Sequence, residues 1–188
     1  MAELTTLAAL KEQIIVTGTG SDTFLTNLIA RASAFIKTVT RRCLNATSLT
    51  EYHDGAGHDT IRLRDWPVVS VASIHESADQ VWDGTTLVAS TDYIVDSRLG
   101  RIIKKSGVRF DRHPLSVRAV YTAGYATIPA DLEMACLELC VAKWRRRSNE
   151  GVQSKQLGDG SIVLFTPADM TADIRRILSP HMNFRTAA

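Results

Sequence analysis

His53, Asp54, His58 and Asp59 crowd one glycine-punctuated segment, and two imidazoles beside two carboxylates are the groups that build a divalent-metal site or an acid–base pair. The same residues suit a tight exposed turn, where Asp and Gly satisfy backbone groups locally. No third fixed histidine or carboxylate pair points to the segment, so it reads as a polar hairpin tip. His75 beside Glu76 and His113 before Pro114 read as strand-end and loop residues. Cys136 and Cys140 sit one helical turn apart, but zinc would need two more ligands and no histidine is near in sequence. They read as small residues on a packed helix face. With Cys43 they make three, and an odd count without Cys-x-x-Cys argues against a disulfide framework. Gly-x-Ser-x-Gly, Gly-x-x-x-x-Gly-Lys and His-Glu-x-x-His are all missing. The expectation is therefore no enzyme: no catalytic residue, no metal and no cofactor.

A second chemistry-bearing run is Trp144-Arg145-Arg146-Arg147. Guanidinium groups bind phosphates bidentately, so the run could touch DNA. It could equally be a helix end matched to its dipole, with the tryptophan packed and the arginines solvated or set against a neighbouring subunit. Twenty-two Lys and Arg against 20 Asp and Glu leave a net charge of only +2, a weak electrostatic footprint that favours the second reading. Hydrophobic residues at 45% and charged residues at 22% are ordinary globular usage, so disorder is not expected. No apolar run approaches the roughly 20 residues that span a bilayer, and the start carries no signal-peptide pattern. The expectation is a soluble chain made in the cytoplasm, without a membrane partner.

The elements that must position these residues follow from periodicity. Leu4, Leu7 and Leu10 mark a short helix from Leu4 to Gln13. Ser21 or Asp22 opens a longer one, in which Leu25, Leu28, Ala32, Phe35, Ile36 and Val39 form an apolar stripe ending near Thr40. Pro129 suits a first helical turn, Asp131 and Glu133 suit its positive end, and Ala135, Cys136, Leu139 and Ala142 continue the stripe to Arg147. These two helices are expected to pack together. Between them the pattern shortens to strands at Thr50 to His53, Thr60 to Arg64, Val68 to Glu76, Tyr93 to Val95, Arg101 to Lys104 and Leu115 to Tyr121. Asp54-Gly55-Ala56-Gly57 signals a hairpin between the first two, and Leu99-Gly100-Arg101 a turn between another pair. After Arg147 a polar stretch leads to the apolar run Ser161 to Phe165. Thr166 before Pro167 reads as the cap of a short last helix ending before Pro180, and His181 to Ala188 as a loose tail.

Glu51-Tyr52-His53-Asp54-Gly55, Asp65-Trp66-Pro67-Val68-Val69-Ser70-Val71, Asp92-Tyr93-Ile94-Val95-Asp96 and the block Val120 to Leu132 occur in the order in which they do in head-tail connector, or adaptor, proteins of long-tailed bacteriophages, and residues 22 to 180 resemble that family. The resemblance implies a ring, typically dodecameric, beneath the portal at the capsid vertex. It would join the portal to the tail around a channel for genome passage and ejection. The implied partners are the portal, a tail or tail-completion (stopper) protein, further copies of the chain and passing DNA that is not gripped. The implied location is the virion neck, reached from the host cytoplasm.

The fold class is then α+β: a helical bundle core with an inserted antiparallel β domain and a C-terminal arm. Residues 1–48 carry the N-terminal core helices, 49–122 the β insertion, 123–151 the core helix and 152–188 the arm. Ile162, Val163, Leu164 and Phe165 either pack on their own domain or add to another chain's sheet or groove. The resemblance favours docking, with Leu157 and Phe184 joining them at a portal or subunit interface, and Arg145, Arg146 and Arg147 as subunit or channel contacts. The alternatives are a DNA-binding protein of the packaging machinery and a neck or tail-completion protein acting one layer further out.

Overall fold

The computed structural model describes residues 3–82, 86–147, 154–156, 162–164 and 170–183. It divides into two compact units, a helical unit of Met1–Arg41 with Pro129–Ala188 and a β unit of Arg42–Ile128. The helical unit holds α1 (Leu7–Ile14), α2 (Asp22–Thr40), α3 (Ala130–Arg146) and α4 (Ala172–Leu178).

Leu25, Leu28, Ile29, Ala32 and Ile36 recur every three or four residues along α2, and all are buried. Phe35, read as part of that buried stripe, is instead 37% exposed, because it lies round the helix from Ile29 and Ile36. The helix stops at Arg41, whose left-handed backbone (φ 54°) lets its N–H reach the Lys37 carbonyl at 2.9 Å. α3 follows Pro129 with Asp131 and Glu133 in its first turn and Lys143, Arg145 and Arg146 in its last, all in the sense the dipole favours. It buries Leu132, Ala135, Cys136, Leu139 and Cys140. The pair runs antiparallel: the rings of Phe24 and Trp144 lie 5.9 Å apart, and Ser33 Oγ lies 3.7 Å from Cys136 Sγ. The stretch leading into α1 is fastened to both, since the Leu4 N–H donates to Ser33 Oγ at 3.1 Å and the Thr5 hydroxyl to Glu133 at 3.0 Å.

α4 is capped by the Thr171 hydroxyl, which accepts the Ile174 N–H, and it buries Ile174 and Leu178. The residues after it are held. His181 Nε2 lies 2.7 Å from Asp131 Oδ2, and the Asn183 N–H donates to the Thr40 carbonyl at 2.8 Å. His181 and Asn183 are therefore held in place, where the sequence predicts the start of a loose tail. It had read as loose because its partners, Asp131 and Thr40, are remote in sequence.

The β unit holds β1 (Thr47–His53), β2 (Thr60–Arg62), β3 (Val68–Glu76), β4 (Thr86–Leu87), β5 (Tyr93–Asp96), β6 (Arg101–Lys104) and β7 (Val117–Ala123). They form two antiparallel sheets, ordered β1-β7-β3-β4 and β2-β6-β5. In β7 Val117, Ala119, Tyr121 and Ala123 are buried, while Arg118, Val120 and Thr122 are partly exposed, the period-two alternation of a half-buried strand. Their buried side joins Ile61, Leu63, Val68, Ile74, Ile102 and Phe110 in one core. Fully burying a side chain of this size contributes about 1.5–3 kcal/mol.

The expected hairpin at residues 54–57 is not formed. β1 pairs with β7 from Thr47↔Ala123 to His53↔Val117, and β2 pairs with β6 in the other sheet. Gly55 serves a different end: its N–H donates to the His113 carbonyl at 2.9 Å, and a Cβ there would fall on the Asp111 carbonyl oxygen. The Leu99-Gly100-Arg101 turn does connect paired strands, β5 and β6, with Gly100 at φ 60°. At the base of the unit Gly124 (φ 111°) passes against the Asn45 backbone, where a side chain would not fit. Tyr125 there donates to the Leu44 carbonyl at 2.8 Å and accepts the Ala46 N–H at 3.1 Å. Beyond α3, β8 (Ser154–Gln156) and β9 (Ile162–Leu164) pair as an antiparallel ribbon. The architecture is thus mixed α+β, helices with small antiparallel sheets.

Candidate functional site

The histidine and carboxylate segment is consumed by local structure. His53 Nε2 lies 3.0 Å from Glu51, Asp54 accepts the Leu115 N–H at 2.7 Å, and Asp59 accepts the Thr60 hydroxyl at 2.9 Å. The His58 carbonyl takes the Phe110 N–H at 2.9 Å, and the His58 ring is exposed. Among the described residues no three His, Cys, Asp or Glu side chains are grouped to hold a metal. Cys136 and Cys140 are buried in the helix packing, and contact with Cys136 followed by burial pushes the Cys140 thiol up, away from the reactive thiolate. His75 is held low by burial and by the Arg118 charge opposite it in the β3–β7 register.

Two buried polar clusters organise the β unit. The fully buried Tyr121 donates its hydroxyl to Glu51 Oε1 at 2.6 Å and accepts the Asp65 N–H at 3.3 Å. The other oxygen of Glu51 accepts the Arg64 N–H at 3.1 Å. Burial alone would raise Glu51, but hydrogen bonds from His53, Tyr121 and Arg64 outweigh it and hold the carboxyl below the usual range. Burial and then Glu51 push the Tyr121 phenol well above its ordinary value. In the second cluster Lys104 Nζ lies 2.8 Å from both oxygens of Glu76 and 4.6 Å from the centre of the Phe110 ring. These two groups border a cleft of about 310 Å³, and their mutual pairing leaves it no unbalanced charge from them. Arg42 is enclosed between the rings of Trp66 (4.3 Å) and Tyr125 (5.8 Å) and donates to the Trp66 carbonyl. In each cluster the polar groups hold one another within the β unit.

The helical unit differs. Phe24, Leu28, Arg31 and Phe35 stand on one side of α2 at spacings of three and four, and Leu139, Lys143 and Arg146 do the same on α3, with Arg147 just past its end. The antiparallel packing turns the two rows into a groove of about 620 Å³. Its floor is apolar and its rim cationic, with Phe24 46% exposed at the mouth. Of the three arginines singled out in sequence, Arg146 and Arg147 line this groove. Arg147 lies 3.7 Å over the Trp144 ring, while Arg145 is exposed and outside the lining. Sequence reading missed Phe24 and Arg31. Their signal was the offset of Phe24, Leu28, Arg31 and Phe35 from the row Leu25, Ile29 and Ile36, which marks a second face on α2.

Of the arm residues expected to dock, Ile162, Val163 and Leu164 lie in β9, paired with β8. Leu157, Phe165 and Phe184 lie outside the described residues, as does the Thr166 cap. The described final helix is capped by Thr171 instead.

This two-unit fold has solved counterparts. It is similar to a chain in the neck of an empty gene transfer agent (GTA) particle computed with C6 symmetry, with TM-score 0.64 and 19% identity over 99% of this chain and 96% of that one. It is similar also to a chain in the neck of the native GTA particle computed with C12 symmetry, with TM-score 0.62, 19% identity and the same coverage. A chain in the virion of the native particle gives TM-score 0.64 at 20% identity, again covering 99% and 96%. At such identity the likeness is one of fold. No curated protein matches the chain. The family model described as head completion protein matches residues 3–184, nearly the whole sequence, and the chain belongs to that family.

Proposed function

We propose that this chain is a structural, non-enzymatic protein of the neck of a tailed-phage-like virion, assembling as a homo-oligomeric ring between portal and tail. The observation that carries this reading is the family match over residues 3–184. The likeness of fold to neck chains, one from a particle computed with C12 symmetry, supports a dodecamer. A closed ring needs two different patches per subunit, because rotation brings unlike surfaces together. In this reading the helices form a bundle that walls a central channel. The genome passes through it, on packaging and on ejection, without being gripped. The β unit faces laterally or toward the tail and its completion (stopper) protein. The arm, with Leu157, Ile162, Val163, Leu164, Phe165 and Phe184, docks on the portal.

The test is mass by light scattering, with the full chain alone and mixed with the portal protein of the same genome. Cutting after Gly151 would remove Ile174 and Leu178 from the core, so the arm is better probed by I162S/L164S/F165S. Portal-dependent assembly that fails in this folded variant supports the reading. A chain that stays monomeric and ignores the portal overturns it.

A further inference from the structure

Ile15 is the least comfortable residue in the helical unit. It ends α1 in the left-handed conformation (φ 57°), a region that β-branched side chains rarely adopt and glycine enters freely. Its side chain gains nothing locally, being 89% exposed, the most exposed large apolar residue described. A strained backbone position that holds out an isoleucine where glycine would be easier points to a use for the side chain beyond the folded monomer. Glu12, one turn earlier, is exposed, whereas Lys11 just before it is neutralised by Asp22 at 2.7 Å. The end of α1 therefore presents an apolar knob with a net acidic neighbour.

The groove between α2 and α3 has the complementary character. The face of α2 bearing Ser33 meets the segment leading into α1, whereas Phe24, Leu28, Arg31 and Phe35 lie about a quarter-turn or more round the helix. That side of the helix pair is uncovered among the described residues. Arg31 and Arg146 make no ion pair there among the described residues, so the rim is positive over an apolar floor.

We propose that the Ile15 and Glu12 end of α1 in one copy of this chain seats in the α2–α3 groove of the next copy. Ile15 enters between Phe24 and Phe35, and Glu12 meets Arg31 or Arg146. The contact is heterologous, each copy offering knob and groove at different places, which is what propagation round a ring requires. This inference rests on the ring reading and specifies its surfaces.

The experiment uses three full-length proteins: the parent, the groove variant R31E/R146E and the knob variant E12A/I15G. Self-association is followed by sedimentation over a wide concentration range and again with the portal protein. Each variant alone is expected to associate at least about tenfold more weakly than the parent. An equimolar mixture should form 1:1 dimers and stop there, because only the groove of one and the knob of the other remain intact. The single variant I15G separates interface from fold: it should unfold at higher temperature than the parent yet associate more weakly, two effects of opposite sign. If the parent assembles and R31E/R146E assembles equally well, this contact is wrong while the ring stands. If the parent never associates, even with the portal, the ring reading and this contact fall together.

Discussion

The two units solve stability in opposite ways. The β unit places charged and hydrogen-bonding groups inside its packing, with Lys104 against Glu76 and Tyr121 against Glu51. The helical unit packs α2 on α3 through aliphatic side chains and small groups, and keeps Arg31, Arg145 and Arg147 on its surface. Buried pairs fix strand register but tolerate no missing partner. Apolar helix packing tolerates change better and leaves the polar surface available for contacts.

The sharpest way to break the contrast is to remove half of the buried pair. Glu76→Gln leaves the Lys104 ammonium, 6% exposed, without its counter-charge. It should destabilise the β unit by about 3–5 kcal/mol, whereas K104M/E76L should be far milder. Urea unfolding in a Trp144→Phe background reads this, since Trp66 and Trp82 then report the β unit alone. Next in size is Tyr121→Phe, which leaves Glu51 short of one hydrogen bond and should cost about 1–3 kcal/mol by the same readout.

Acid should separate the units further. Glu51 is held below the ordinary carboxyl range when folded. Its contribution is complete above the pH where an unfolded glutamate ionises, about 4.3, and is lost as pH falls through the lower folded value. Fluorescence melts in that window should show a loss that Glu51→Gln removes. The smallest effect is in the helical unit, where Ile15→Gly relieves a left-handed backbone costing an L residue about 1–2 kcal/mol, less the extra entropy glycine loses, and should raise stability by about 0.5–1 kcal/mol, measured by circular dichroism.

Legibility followed the same division. The limits of α2 were readable because nineteen residues keep one apolar period, and β3 and β6 because alternation bounded by turn residues is a local signal. The partner of β1 was not readable. Gly55 and Gly57 carry the chemistry of a tight turn, but β1 pairs with β7, some seventy residues on, and nothing local encodes that choice. The groove was half visible. Arg146 and Arg147 stood out as a cluster, but what makes them a rim is α2 arriving alongside with Phe24 and Arg31, a consequence of packing.

The tie between Tyr125 and Leu44 through Ala46 has a bearing on the order of folding. The chain leaves the helical unit at Arg41 and returns to it at Pro129, and closing a loop of that length in an unfolded chain costs about 4–5 kcal/mol. Once the β unit has zipped its own ends together, that cost has been met, and α2 and α3 search for each other as if joined by a short linker. Gly124 is the hinge of that closure, the point where two backbones pass too closely for any side chain. Gly124→Ala should therefore delay helix pairing in stopped-flow refolding, although it touches neither helix.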